Sequence, residues 1–333
     1  MLAKASLLVG AALLEKTVNE TQLVEGLRVN LQSMQRQIDV DFSGLPCEDN
    51  SKANHKRKFF EGRFNGCYLS WSKYHKTMGT PLLILENTPD IKSNEIEQLF
   101  MPEYRMLQLF VTPEDVGHSG VARARTYIYL YDWRKLEYLH DVFELYSNIS
   151  KEIRKVARTQ PEDYMVSTAL TRAADEMHMA RTRKKVYQHA NPSVEYLLNE
   201  RELLLVRQLD FAYISKFHRH PALDPGLVYF LGDNASFSRT WSASSRALPT
   251  FRKNTGKYLF RRGMKFLTGQ EKLAALGWPV NQGLAEEMMT TVMPSIDPTR
   301  SHFLAGNSMH LTNATVVLMV GLSCFGPVKE SHS

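Results

Sequence analysis

Cysteine is scarce in this chain: Cys47, Cys67 and Cys324 are all that 333 residues contain. Thiols at these spacings make neither a disulfide framework nor a metal-ligand pattern. That excludes a disulfide scaffold and a structural zinc site, and it points to a reducing, intracellular compartment, the nucleus if the source is eukaryotic. Long apolar runs are missing too. The nearest approach, residues 5–14, is too short to cross a bilayer, so no membrane partner is expected. No small-x-small cleavage site follows it, and Lys16 and Glu20 continue at helical pace; the stretch reads as a buried helix rather than a signal peptide. Leu23, Leu27 and Leu31 mark one face of a second helical stretch. A strong excess of one charge is also absent. The net charge of +6 suits a polyanionic partner without demanding one.

What the chain does have is length enough for one large domain and a smaller one, and two strand patterns placed beside reactive side chains. Ile38, Val40 and Phe42 alternate with Asp39, Asp41 and Ser43, the period of a half-buried strand that Gly44 and Pro46 then end. Leu82-Leu83-Ile84-Leu85 is a continuous apolar run between Pro81 and Pro89, the pattern of a strand buried on both faces in a parallel sheet. Cys47 and Glu86 therefore stand just past the carboxyl ends of two strands, the edge where open α/β sheets bind ligands. A lone Pro-Cys is more often a small buried thiol than a nucleophile. The order of further motifs shifts that balance.

Pro46-Cys47, Glu86-Asn87, Arg123-Ala124-Arg125, Leu267-Thr268-Gly269-Gln270-Glu271 and Gly306-Asn307-Ser308 follow one another along the chain. In this order they resemble the motifs of the cytosine-5 DNA methyltransferases: a Pro-Cys turn, a Glu-Asn-Val strand end, a Gln-x-Arg-x-Arg strand, a Leu-Thr-x-x-Glu helix and a Gly-Asn-Ser turn. The resemblance covers roughly residues 38–133 and 246–325. It implies an α/β fold, a Rossmann-like S-adenosylmethionine-dependent methyltransferase sheet with an inserted smaller target-recognition domain. Residues 1–134 would form the catalytic domain, 135–245 the recognition region, and 246–333 the return to the catalytic domain.

The resemblance also implies roles. Cys47 would add to carbon 6 of cytosine, converting an inert ring into an enamine that can take a methyl group at carbon 5. A thiolate is needed for this, and residues 52–58 supply a basic neighbourhood that favours one. Glu86 would donate a proton to ring nitrogen 3, which requires a raised pKa. Arg123 and Arg125, two apart on a strand, would point the same way into the site. Pro46, Asn307 and Ser308 would contact S-adenosyl-L-methionine. Ser51, Lys52, Arg63, Asn87 and Thr250 would contact nucleic acid, with residues 51–66 forming a loop that closes once the base is flipped out of the duplex.

Two departures stand against this picture. The family's Phe-x-Gly-x-Gly cofactor loop has no counterpart before Cys47, and only 46 residues precede that cysteine, too few for the usual two β-α units. Either a first segment is missing or the chain is a homologue with half a cofactor site. The glutamine that precedes the two arginines is replaced by Gly120-Val121. Residues 135–245 match no motif; His218 and His220 have no third metal ligand nearby, and residues 181–185 read as a solvated basic face. Thr268 with Glu271 three residues on makes a helix-opening capping box, and Gly306-Asn307-Ser308 is expected to open a last apolar helix over residues 315–322. The activity so implied is DNA cytosine-5 methylation by a monomer on double-stranded DNA. The same chemistry on tRNA, or an inactive paralogue that only binds nucleic acid or another methyltransferase, are the alternatives.

Overall fold

The computed structural model describes residues 39–52, 54–234, 238–252, 256–295 and 297–329. Ile38 and the two amino-terminal helical stretches lie outside the described residues. The chain divides into two compact units, one of residues 1–111, 124–149 and 314–333, the other of residues 112–123 and 150–313.

The first unit is built on four strands: β1 (Val40–Gly44), β2 (Leu82–Asn87), β3 (Tyr104–Val111) and β4 (Arg125–Asp132), in the spatial order β1-β2-β4-β3. β1 and β2 are parallel, and β4 runs antiparallel between β2 and β3. The sheet is thus mixed, although β2 has the burial expected of a parallel strand, every residue being inside. Both of its faces are covered. Leu83 and Leu85 join Ile128 and Leu130 in a core with Tyr68 of α1 (Asn65–Met78) and Ile96 and Phe100 of α2 (Ser93–Phe100). Each such side chain contributes about 1.5–3 kcal/mol by leaving water.

β1 departs from the alternation read in the sequence. The polar Asp41 is its best-buried residue, because the α1 helix brings Trp71 and His75 onto its carboxylate. Trp71 Nε1 donates to Asp41 Oδ2 at 3.2 Å, Ser43 Oγ donates to the same oxygen at 2.5 Å, and His75 Nε2 stands 3.5 Å away. Burial holds His75 below the ordinary imidazole value, with Asp41 pulling the other way. A short antiparallel pair, β5 (Leu136–Tyr138) with Phe325–Pro327 near the end of the chain, completes the unit.

The chain enters the second unit through α3 (Val142–Val156), then forms α4 (Ala169–Thr182) and α5 (Glu200–Phe217). A three-stranded antiparallel sheet follows, β6 (Val228–Phe230), β7 (Tyr258–Phe260) and β8 (Lys265–Phe266), and then α6 (Gly269–Ala275), α7 (Gln282–Glu287) and α8 (Pro298–Asn307). The capping box forms as its spacing requires: Thr268 Oγ1 accepts from Glu271 N at 3.2 Å, and Glu271 Oε2 accepts from Thr268 N at 3.0 Å. His218, His220 and the basic residues Arg183 and Lys185 have structural work. His218 closes α5 in a left-handed conformation, and His220 Nδ1 accepts from Ala222 N. Arg183 holds the buried Glu202, and Lys185 Nζ donates to the carbonyls of Tyr196 and Leu198.

The last helix, α9 (Leu311–Cys324), leads back to the first unit, and the strand β9 (Phe325–Pro327) follows it. It begins at Leu311, and Gly306-Asn307 end α8 instead of opening it. Within the first unit Tyr129 Oη donates to the Val317 carbonyl of α9 at 2.8 Å. Gly321 lets that helix approach closely, since a Cβ there would stand 2.9 Å from the Tyr129 ring and 3.1 Å from Ile84.

Candidate active site

The parallel register sets the first half of the site. Gly44 is paired with Glu86, so the turn leaving β1 and the final residues of β2 emerge at one sheet edge. Glu86 is still within the strand rather than past its end, because the ladder to β4 runs through it to Asn87–Thr126. Arg125, at the start of β4, reaches across with Nε 2.8 Å from Glu86 Oε1, and both side chains are about nine-tenths buried. A pair this well shielded is attracted far more strongly than one in water.

Cys47 sits in a turn held from several sides. Its carbonyl accepts the backbone N–H groups of Asn50 at 3.0 Å and Ser51 at 2.9 Å. Asp49 then fixes the far end: its carbonyl accepts from Phe59 N at 3.0 Å and its carboxylate from Phe64 N, at the start of α1, at 3.3 Å. Gly62 is what allows this, since a Cβ there would lie 2.1 Å from the Asp49 carboxylate. Residues 54–64 therefore lead into the helix through bonds to Asp49 and include a short 3-10 turn, Phe59–Glu61.

The residue that ties this corner together is Tyr68, which sequence reasoning missed. It is 3% exposed. Its hydroxyl donates to the Pro46 carbonyl at 2.8 Å and accepts from Asn50 Nδ2 at 3.1 Å and from Asn87 Nδ2 at 2.8 Å. Burial raises its pKa far above the phenol range, against the lowering effect of the Asn87 hydrogen bond. The signal lay in helical spacing: Tyr68, Ser72 and His75 recur at i, i+4 and i+7 on the inner face of α1.

The residues expected on nucleic acid are divided. Asn87 is fully buried, and its Nδ2 also donates to the Leu45 carbonyl at 3.2 Å, so it braces the Pro46-Cys47 turn instead of facing a ligand. Lys52 and Arg63 are on the surface, paired with Asp90 at 2.9 Å and Glu48 at 3.2 Å. Such exposed pairs are worth little and yield readily to a phosphate. Ser51 is half-buried beside the Cys47 carbonyl.

Arg123 does not share a strand with Arg125. The β3–β4 ladder ends at Val111–Arg125, and the preceding backbone instead pairs within the second unit, Val121 with Leu248 and Ala122 N with the Leu248 carbonyl. Buried Arg123 donates to the Ser308 carbonyl. Thr250 is exposed, and its Oγ1 donates to the Ala122 carbonyl at 2.6 Å. Beside Arg123 lies a histidine pair, His310 buried and His118 half-buried: their rings meet edge to face with centroids 4.6 Å apart, and His118 Nδ1 is 2.9 Å from Tyr164 Oη. Burial lowers His118 to about 4 and holds His310 well below its ordinary value, the latter helped by His118 and Arg123.

Asn307 and Ser308, the residues expected on S-adenosyl-L-methionine, close α8. Asn307 Nδ2 donates back to the Phe303 carbonyl at 3.0 Å, Ser308 Oγ to the Leu304 carbonyl at 2.7 Å, and the Ser308 carbonyl is taken by Arg123. These are the bonds of a helix end. Among the described residues no group of three His, Cys, Asp or Glu side chains is arranged to hold a metal ion, and no helix is long and apolar enough to cross a membrane.

No family model and no curated protein matches the sequence. Solved structures do resemble the fold. A methyltransferase of Entamoeba histolytica, EhMeth, superposes with a TM-score of 0.51 at 12% identity, over 89% of this chain and 79% of that one. A prophage-encoded E. coli protein described as a DNA modification methyltransferase gives 0.52 at 13% identity, over 92% of this chain and 84% of that one. At such identities the likeness speaks for the fold. The chain has a Rossmann-like α/β fold similar to that of these two methyltransferases, as its motif order led one to expect.

Proposed function

We propose that this chain methylates carbon 5 of cytosine in DNA, with S-adenosyl-L-methionine as methyl donor, Cys47 as nucleophile, and residues of the second unit reading the target. The observation that carries the reading is the β1–β2 register, which delivers Cys47 and Glu86 to one sheet edge with Arg125 locked onto Glu86. The fold likeness supports the reaction class.

The chemistry of these residues concerns the pyrimidine. With the base out of the stack, the Cys47 thiolate forms a bond from Sγ to carbon 6, and the electron pair of the ring double bond is pushed towards carbon 5. Charge on the ring is relieved by a proton delivered to nitrogen 3 from Glu86, whose carboxylate, paired with Arg125 at rest, first takes that proton from solvent. Arg125 keeps that carboxyl oriented through Oε1, leaving Oε2 for the ring. Once carbon 5 has been methylated, its proton passes to a solvent water, the electron pair re-forms the carbon 5–carbon 6 double bond as the Sγ–carbon 6 bond breaks to restore the thiolate, and the proton on nitrogen 3 returns to Glu86. Lys52 and Arg63 would bind phosphates on either side, an interaction that weakens as salt rises.

A duplex carrying 5-fluorocytosine, offered with the donor, should trap a covalent adduct, because fluorine cannot leave as a proton does. Cys47→Ser should abolish it, and an adduct that survives this change removes Cys47 from its role. Trapping on tRNA but not on DNA keeps the chemistry and changes the substrate. The side-chain bonds of Asn307 and Ser308 favour a second reading, a paralogue that binds nucleic acid without the cofactor. Calorimetry decides between them: heat on adding S-adenosyl-L-methionine supports the enzyme, and its absence the paralogue.

A further inference from the structure

We propose that Tyr68 is the positioning residue of the Pro46-Cys47 turn, its hydroxyl serving as the common anchor for the exit of β1, the turn after Cys47 and the end of β2. The inference rests on the proposed role of Cys47. One buried oxygen meets three polar groups from three separate segments, the Pro46 carbonyl at 2.8 Å, Asn50 Nδ2 at 3.1 Å and Asn87 Nδ2 at 2.8 Å. Cys47 is bracketed by these contacts. Its own carbonyl is tied to Asn50 N and Ser51 N, so Asn50 belongs at once to the cysteine's turn and to the tyrosine's hydroxyl. The ring is set by packing against Phe60, with centroids 5.0 Å apart, which leaves the hydroxyl little freedom to follow a wandering loop. Burial keeps the phenol protonated throughout the physiological range, so the donor to Pro46 is permanent. A nucleophile that adds to one carbon of a ring gains from such fixation, since an error of about 1 Å in its position costs on the order of a hundredfold in rate.

Tyr68→Phe keeps the ring and removes the anchor, leaving Pro46 O, Asn50 Nδ2 and Asn87 Nδ2 to find water. The turn must open to admit it. Two rates should then move in opposite directions. Alkylation of Cys47 by iodoacetamide, followed by mass spectrometry of its peptide in the full chain, should rise about threefold or more, because a small reagent needs access and not alignment. Trapping on the 5-fluorocytosine duplex should fall at least about tenfold at saturating duplex, with the concentration for half-saturation unchanged, since phosphate contacts stay in place. An alkylation rate within about twofold of the parent overturns the proposal. A parent chain that traps no adduct sinks the methyltransferase reading alone, because the alkylation comparison still reports on the anchor. Should Tyr68→Phe fail to fold, Asn87→Ala removes one arm and should raise alkylation about twofold, and no rise there is equally decisive against the anchor.

Discussion

The corner of the first unit around Cys47 and the corner of the second around Ser308 both gather residues singled out by the motif order, yet they are organised in opposite ways. Around Cys47 the polar groups converge from different segments: Glu86 and Asn87 from β2, Arg125 from β4, Asn50 from the turn, all set by strand register and by Tyr68. Around Ser308 they turn back on their own helix, Asn307 to Phe303 and Ser308 to Leu304, with Arg123 sealing the last free carbonyl. The first arrangement gathers a carboxyl and a thiol at one sheet edge. The second satisfies a helix terminus. A motif in sequence specifies which residues are near one another, while the ladder and the helix cap decide which atoms remain available.

The largest effect that can break this contrast is at the thiol: Cys47→Ser should reduce trapped adduct to background, while Cys67→Ser, on the exposed side of α1, should leave it intact. Next come the two arginines. Arg125→Ala strands a carboxylate that is about nine-tenths buried and should cost about 2–3 kcal/mol in chemical denaturation, together with at least a tenfold slower adduct. Arg123→Ala removes a donor from a helix-end carbonyl and should cost about 1–3 kcal/mol, leaving adduct formation by the folded fraction nearly unchanged. Equal losses of trapping from both substitutions would unite the two corners in one site and remove the contrast.

The pH dependence separates the units further. His118 is lowered from 6.5 to about 4 by burial, so the unfolded chain binds a proton there that the folded chain refuses. Its contribution is complete above pH 6.5, declines as pH falls from 6.5 towards 4, and is gone below that. After allowance for its partial exposure this amounts to about 2 kcal/mol. His118→Phe, which keeps the ring stacked near Tyr164, should reduce the pH slope of stability in that window by its own share, leaving the part carried by the other buried histidines; an unchanged slope would assign the titration to those groups.

How much of this was legible in the sequence follows from the range of the interactions. The apolar run Leu82–Asn87 declares a buried strand because burial on both faces leaves no polar alternation, and Thr268 with Glu271 declares a helix start because both bonds of the box close within three residues. Asp41 belongs to the polar phase of β1's alternation yet is buried, because its partners, Trp71 and His75, arrive from a helix thirty residues on. Arg123 was placed on a strand because the two-residue spacing carries no sign that Leu248 captures the preceding backbone. Tyr68 went unnoticed for a related reason: its inward position follows from helical period, but its hydroxyl acquires meaning only when Pro46, Asn50 and Asn87 are brought around it.

The smallest effects test whether the order of the Cys47 turn serves chemistry or only folding. Thr268 and Asp49 both hold the start of a helix, the first by a reciprocal buried box and the second by one bond of 3.3 Å to Phe64 N. Thr268→Ala should therefore cost about 1–2 kcal/mol and Asp49→Ala about 0.5–1 kcal/mol, read by chemical denaturation. Trapping should rank them the other way. Thr268 supports a helix of the second unit, and its loss lowers the amount of folded protein without disturbing the thiol. Asp49 is two residues from Cys47, and its carboxylate pins Phe64 N; the bond from Phe59 N to its backbone carbonyl survives the change, but loss of the Phe64 anchor slackens the turn. Adduct formation per folded molecule should slow several-fold in Asp49→Ala and stay at the parental rate in Thr268→Ala, whereas a slowing that simply follows stability in both would mean that the turn's order matters for folding alone.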